Sequence, residues 1–341
     1  MSRVRSYAAV IGLAAVSVGV VLGLSALTTT SGPWTAALDA LSTFVTIFLG
    51  IFIEAAPFLL LGTVASGLVE VFVNHDQVQR WVPRDPVRGA LVGALLGLFF
   101  PVCECGVVPL TRRLFRKGLP LPVGVTFLLA APVVNPVVIA STIAAFGVGR
   151  VLALRLGLTV LVAIVTGLVF AAERRPEQLL QPTAWAPMAG GSGADLPLVA
   201  ARAPWRAALH RALVIAVDEF FEMGRYLVVG GLLAALMQTV IPQAWLTAVS
   251  AGPVVSVLAL IALAVVLSIC STVDAFIALS FAGTFTTGSI IAFLVFGPMV
   301  DIKSTLMFLG VFRKRAVAYL VLLPLLMALV LGVAINLNTP W

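Results

Sequence analysis

Long apolar runs recur along the whole 341-residue chain and limit its possible folds more than any other feature. A helix that crosses a bilayer needs about 20 mostly apolar residues. Seven runs approach or exceed this length: Tyr7–Leu27, Leu41–Val73, Leu121–Gly147, Val151–Ala172, Ala212–Ile241, Ser289–Gly310 and Val317–Ile335. Because 61% of the residues are hydrophobic and only 10% are charged, no soluble core would bury this surface. The sequence predicts an all-α integral membrane protein with about 7–9 transmembrane segments.

One segment interrupts the apolar pattern. Residues 173–206 contain five prolines and three glycines among few periodic apolar positions, which predicts a flexible cytoplasmic linker. The linker separates a first membrane repeat, residues 38–172, from a second, residues 207–341. An additional N-terminal transmembrane helix is predicted within residues 1–37, because its apolar run is longer than that of a usual signal peptide.

The two halves show internal similarity. The segment Ile51–Glu70 aligns with Glu219–Gln238, and Phe127–Pro136 aligns with Phe293–Ile302. The first alignment superposes Glu54 on Glu222, and the second superposes Asn135 on Asp301. Between these blocks, Cys103 falls opposite Cys270 at nearly the same offset. Two collinear matches and a shared cysteine predict an internal duplication.

The distribution of basic residues predicts the orientation. If residues 88–117 dip into the membrane and return, and residues 252–287 do so from the opposite face, 17 of the 21 Lys and Arg residues face the cytoplasm. Only Arg150 and Arg155 then lie outside, with Arg225 and Lys303 at membrane depth. This topology places the N-terminus in the cytoplasm and makes the repeats inverted, each with a broken or re-entrant helix. The alternative has both dips crossing fully, which gives parallel repeats.

A cysteine-rich segment is the strongest candidate for chemistry. Prolines and a glycine between Phe99 and Pro109 predict an unwound backbone, which would let the thiols of Cys103 and Cys105 reach one point. The repeat would bring Cys270 alongside them, next to the carboxylate of Glu104. Such a group suits a soft, thiophilic centre, and Cys103 and Cys105 are the predicted metal ligands. The alternative is that the cysteines are small buried hydrophobes.

Ionisable residues inside a bilayer are costly and are therefore functional candidates. The acids Glu54 and Glu222 are equivalent in the repeat and are the predicted pair for proton coupling or gating. Arg225 is expected to pair with Glu222 on one helix face, and a structural salt bridge is the alternative role for that acid. The further coupling or gating candidates are Asp274 and Lys303. Asn135 and Asp301 lie in helix-breaking segments and are predicted to bind substrate, with helix kinks for packing as the alternative.

Three motifs carry a family resemblance: PVCECGVVPL at 101–110, Gly-Leu-Pro at 118–120 and FLLAAPVVNPVV at 127–138. They resemble the signature of the bacterial predicted-permease family that includes the organoarsenical efflux permeases, and the likeness runs from about residue 41 to 335. The resemblance implies a multi-pass permease of the cytoplasmic membrane, with a companion membrane protein in some members. The family often has Cys-Ser-Cys where Glu104 stands here, so the resemblance alone does not assign an arsenical as the substrate.

These features predict a membrane permease for a small thiophilic solute or a metal or metalloid species, driven secondarily and coupled to protons. Its partners would be the solute or ion and the lipid bilayer, with no cofactor, no nucleic acid and no enzymatic activity. A passive channel is one alternative, and a thiol-redox or assembly subunit of a membrane complex is another. Flux without a proton gradient favours the channel, and a reversible Cys103–Cys105 disulfide favours the redox subunit.

Overall fold

The computed structural model describes residues 15–20, 33–83, 85–100, 102–173, 179–181, 205–240 and 252–338. These residues form helices and contain no strand longer than an isolated bridge, which confirms the predicted all-α membrane class. Most of the predicted N-terminal helix and of the linker lies outside the described residues.

Thirteen helices within the described residues are numbered here in chain order. They are α1 (Pro33–Phe72), α2 (His75–Trp81), α3 (Pro86–Leu96), α4 (Glu104–Arg116), α5 (Leu121–Ala130), α6 (Pro136–Phe146), α7 (Arg150–Ala171), α8 (Trp205–Val240), α9 (Val255–Leu267), α10 (Asp274–Ser280), α11 (Thr287–Phe296), α12 (Ile302–Val311) and α13 (Lys314–Asn338). Four of them, α1, α7, α8 and α13, are long and apolar enough to cross a membrane.

The helix order repeats between the halves. Apart from α2, each half runs from a long helix through four short helices to a second long helix. The long helices α1 and α8 end at Phe72 and Val240, which differ by the same 168 positions that separate Ile51 from Glu219. The duplication seen in the sequence therefore has a counterpart in the order of the helices.

The segment 86–116 enters and leaves the bundle at one end. Helix α3 runs parallel to α5, since Gly89 lies beside Val123 and Gly97 lies beside Ala131. Helix α4 runs parallel to α1, because Ser66 Oγ donates to the Pro109 carbonyl at 3.4 Å and Glu70, one turn further along α1, pairs with Arg113 at 3.6 Å. The chain thus dips inward along α3 and returns along α4 to the end where α1 and α7 terminate, here called end 1.

The second half contains the same dip at the other end. Helix α9 runs parallel to α11, with Ser256 Oγ 3.0 Å from Thr286 Oγ1 and Ala264 beside Gly297. Helix α10 returns to the start of α11 within a few residues. This is the end where α8 and α13 terminate, here called end 2.

Two broken helices cross between these ends. Helices α5 and α6 are separated by turns and bends at residues 131–135, and α11 and α12 by a turn and irregular backbone at residues 297–301. Together α5 and α6 run antiparallel to α7, since Thr126 Oγ1 donates to the Ala163 carbonyl at 3.3 Å and Arg155 donates to Thr142 Oγ1 at 2.8 Å. Both breaks coincide with the segments that the sequence predicted to disrupt a helix.

The halves meet along their first long helices. Helices α1 and α8 run antiparallel, because Gly67 packs on Ala212 while Phe48 packs on Gly231. The described part of the linker is tied to end 1, where Gln181 N donates to the Val311 carbonyl at 2.8 Å.

Candidate functional site

The tip of the first dip carries two of the predicted cysteines. Helix α4 begins at Glu104 with Cys103 as its N-cap residue, so the unwound region is shorter than predicted. Pro109 lies inside the helix, only one turn and a half from its start. A proline there removes the hydrogen bond to the Cys105 carbonyl and crowds that carbonyl, so it weakens the first turns of α4. Asn135 fixes the turn before Cys103, since its Nδ2 donates to the Val102 carbonyl at 3.3 Å.

The tip of the second dip carries the third cysteine. Cys270 lies in the turn between α9 and α10, and its carbonyl accepts from Val273 N at 3.0 Å and from Asp274 N at 3.2 Å. Ser268, which ends α9, adopts a left-handed conformation with φ of 46°. This conformation stops the helix and turns the chain towards Cys270.

The two tips meet. One ligand atom each from Cys103, Glu104 and Cys270 lie within 4.8 Å of one another. Cys105, which is also buried, lies two positions after Cys103 in the first turn of α4 and interacts with the Cys103 thiol. Each of these residues is at most 3% exposed. The convergence expected from the repeat is therefore present, and the arrangement is closed to solvent.

Lys303 supplies a positive charge beside the thiols. Its Nζ lies 3.7 Å from Glu104 Oε1 and 3.4 Å from Asp301 Oδ2. Asp301 also caps α12, since its Oδ1 accepts from Ser304 N at 2.6 Å. The second Glu104 oxygen, Oε2, has no hydrogen-bond partner among the described residues. This oxygen leaves acceptor capacity at the centre for a bound solute.

Asn135 occupies the equivalent break in the first half. Its Oδ1 accepts from Val137 N at 2.8 Å and caps α6, as Asp301 caps α12. The predicted substrate-binding side chains at both breaks are thus engaged in helix caps. They border the thiol group through Val102 and Lys303 respectively.

A second buried ion pair lies beside the Cys270 turn. Arg155 Nη2 is 2.6 Å from Asp274 Oδ2, and the arginine is fully buried. Arg155, predicted to lie on the outer side with Arg150, is enclosed by the protein, whereas Arg150 is exposed at the start of α7. The candidate Asp274 is therefore paired with a residue that the sequence interpretation overlooked.

Comparison with known proteins gives the family. A model described as "Predicted permease" matches residues 40–337. The chain belongs to the predicted permease family. A Bacillus subtilis (strain 168) relative in this family, the UPF0718 protein YcgR, is 44% identical over 276 residues, covering 81% of this chain and 90% of the relative. A Streptococcus mutans relative is 36% identical over 294 residues, covering 84% and 94%, and its name proposes it as a subunit of a two-component membrane permease complex. No solved structure matches the chain.

At end 1 of this permease, buried cations of α4 pair with acids of α1 and α8. Arg112 Nη1 lies 2.9 Å from Glu222 Oε1, and Arg113 Nη2 lies 3.5 Å from Glu219 Oε2. Arg225, predicted to meet Glu222 on one helix face, donates through Nε to the backbone carbonyl of Glu222 at 3.3 Å. The carboxylate turns to Arg112 because α4 packs against this end of α8.

Glu54 is the remaining predicted coupling residue of the permease. It lies on α1, half-buried, and one of its carboxylate oxygens has no hydrogen-bond partner among the described residues. It is within electrostatic range of both Lys303 and Asp274. Glu54 is therefore near both buried ion-pair groups, whereas its repeat counterpart Glu222 pairs with Arg112 of α4.

Proposed function

We propose that this protein is a secondary-active permease that moves a small thiophilic solute, a metal or a metalloid species across the cytoplasmic membrane, and that its role is transport rather than catalysis. The observation that supports it is the meeting of two buried thiols, Cys103 and Cys270, with the Glu104 carboxylate at the tips of two dips from different halves, next to the buried Cys105. Thiols select soft centres, and the Glu104 carboxylate adds a harder ligand. Cys103, Cys105, Cys270 and Glu104 would bind the solute.

The proposed mechanism is alternating access between inverted repeats. The antiparallel packing of α1 and α8 and the dips from opposite ends support this relation between the halves. Broken helices that meet at the interface of inverted repeats are typical of transporters whose halves rock around a central site. Because the cysteines come from both tips, relative movement of the halves would separate Cys270 from Cys103 and release the solute.

Orientation and coupling follow from the charges. End 1 carries Arg313, Lys314 and Arg315 at the start of α13 as well as the basic residues of α4, so end 1 is proposed to face the cytoplasm. Glu54 would carry the coupling proton, because its position gives it access to both ion-pair groups. Glu222, with a quarter of its side chain exposed and paired with Arg112, would act in a gate at end 1.

A second membrane-protein component is also proposed. The name of the Streptococcus mutans relative, which this chain matches over most of both lengths, supports such an assembly. Purification of the tagged chain from its native membrane, followed by identification of any stoichiometric partner, tests this part separately.

Transport into sealed vesicles tests the central proposal. Arsenite and Cd²⁺ are the probes, measured by elemental analysis of washed vesicles with and without an imposed proton gradient. The Cys103→Ser/Cys105→Ser variant should insert normally and lose transport of whichever probe the parent moves. Transport at the parental rate by this variant would remove the thiols from the site. If flux through the parent protein is the same with and without the proton gradient, the protein is a passive channel instead.

A further inference from the structure

The tip of each dip is held by a cation from the other half. At the first tip, Glu104 opens α4 and pairs with Lys303, which belongs to the second half. At the second tip, Asp274 opens α10 and pairs with Arg155, which belongs to the first half. In both pairs, an acid at the start of a dip helix binds a cation of the other half. The repeat does not extend to the cations, because neither Lys303 nor Arg155 has a basic residue at the equivalent position of the other half.

Arg155 contacts the second tip at two points. Its Nη2 bonds the Asp274 carboxylate at 2.6 Å and donates to the Ser271 carbonyl at 3.4 Å. Its Nη1 donates to Thr142 Oγ1 at 2.8 Å, and that hydroxyl donates in turn to the Val138 carbonyl at 2.7 Å. The planar guanidinium is therefore fixed between α6 of the first half and the turn of the second.

Both contacts lie within the turn that begins at Cys270. Ser271 is its neighbour in the chain, and Asp274 N donates to the Cys270 carbonyl at 3.2 Å. Residues 270–274 thus form one hydrogen-bonded turn, which Arg155 contacts at its second and last residues. Rotation of this turn would move the Cys270 thiol away from Cys103, and the guanidinium prevents that rotation.

Net stability does not explain a fully buried pair of this kind. The cost of removing two charges from water roughly cancels their attraction, so such a pair is better suited to fixing a geometry. We infer that Arg155 is a positioning residue of the thiol site, which holds Cys270 against Cys103 from the opposite half of the protein. The functional meaning of the site rests on the proposed transport, whereas the positioning is measurable without it.

Disulfide formation between the two tips tests this inference. A Cys105→Ser background leaves Cys103 and Cys270 as the only cysteines of the chain. A protease site inserted within residues 182–204 allows the halves to be separated after limited oxidation by hydrogen peroxide. The readout is the rate at which protease-resistant linkage appears on a non-reducing gel. It is measured in this parent and in Arg155→Gln, Arg155→Lys and Arg150→Gln.

The parent should crosslink readily, and Arg155→Gln should crosslink about tenfold more slowly, the effect of a shift of about 1.4 kcal/mol against the close geometry. Arg155→Lys retains the charge but cannot contact both Ser271 and Asp274 as the guanidinium does, so an intermediate crosslinking rate is expected. Arg150→Gln changes an exposed arginine near the start of the same helix and should match the parent. A parental rate in Arg155→Gln, or an equal loss in Arg150→Gln, overturns the inference.

A double variant separates positioning from folding. Arg155→Gln alone leaves the Asp274 carboxylate buried without its cation, which endangers folding. In Arg155→Gln/Asp274→Asn both charges are removed, so the protein should melt near the parental temperature. Slow crosslinking in this folded double variant supports the positioning role, and a parental rate refutes it.

Discussion

Gly230 on α8 is a position where one methyl group should displace the thiol site. A Cβ at this position would lie 2.8 Å from the Lys303 Cα, whereas ordinary van der Waals contact begins near 3.4 Å. The Gly230→Ala substitution must therefore push the start of α12 away by about 0.6 Å, the difference between these distances. Gly224→Ala is the matched control, since a Cβ there meets nothing within 4 Å on the same helix.

The cost of the displacement has two parts. Overpacking a tight helix contact costs about 1–3 kcal/mol. Moving Lys303 Nζ from 3.7 Å to about 4.3 Å from Glu104 loses about 0.6 kcal/mol at an effective dielectric constant of 20. Both glycine variants gain about 0.5–1 kcal/mol in helix propensity, which cancels in their comparison. Gly230→Ala should thus be less stable than Gly224→Ala by about 1.5–3.5 kcal/mol.

Thermal unfolding in detergent measures this difference. It is monitored by light scattering or by the loss of the monodisperse peak in size-exclusion chromatography. The Gly230→Ala midpoint should fall several degrees below that of Gly224→Ala, and the variant should bind the transported probe more weakly. Equal midpoints and equal binding in the two variants would refute the close approach of α8 and α12. Loss of stability in Gly224→Ala alone would contradict the packing outright.

Three further changes test neighbouring contacts. Lys303→Met leaves the Glu104 and Asp301 carboxylates buried without their cation and should cost about 3–5 kcal/mol in thermal unfolding, unless the carboxylates take up protons. Asp301→Asn should keep most of the α12 cap, whereas Asp301→Ala should lose about 0.5–2 kcal/mol more, measured in the same assay. Gly310→Ala would place a Cβ 3.1 Å from the ring of Tyr226 and should lower the unfolding midpoint in the same assay.

Much of the site was accessible from the sequence because it depends on local breaks and on the duplication. Prolines and glycines marked both turns in the broken helices, and the offset between the repeats placed Cys270 opposite Cys103. These signals are short-range or repeat within the chain. They suffice to indicate where the backbone leaves the helix and which residues are equivalent.

The ion pairs were not accessible in the same way. Arg155 lies five residues after Arg150 at one end of an apolar run, a position typical of a residue at the membrane interface. Its partner Asp274 is 119 positions away, and Arg112 and Glu222 are similarly distant in the chain. Only the tertiary packing decides these pairs, so the local i,i+3 rule, which relates Glu222 to Arg225, could not indicate the additional partner that α4 supplies.

The two halves are equivalent in sequence but differ in their packing, and this difference has a direct bearing on mechanism. Gly62 and Gly230 occupy the same repeat position, yet Gly62 lies against Gly106 of α4 while Gly230 lies against Lys303 of α12. Helix α4 belongs to a dip, and α12 belongs to a broken crossing helix. If related halves exchange their conformations during transport, as the inverted arrangement allows, α8 would next receive the dip helix α10 and α1 would receive α6. Both ion pairs that hold the tips would then have to open, because α10 carries Asp274 away from Arg155 and α12 carries Lys303 away from Glu104. The buried ion pairs would therefore couple the closing of the thiol site to the positions of the four short helices α4, α6, α10 and α12.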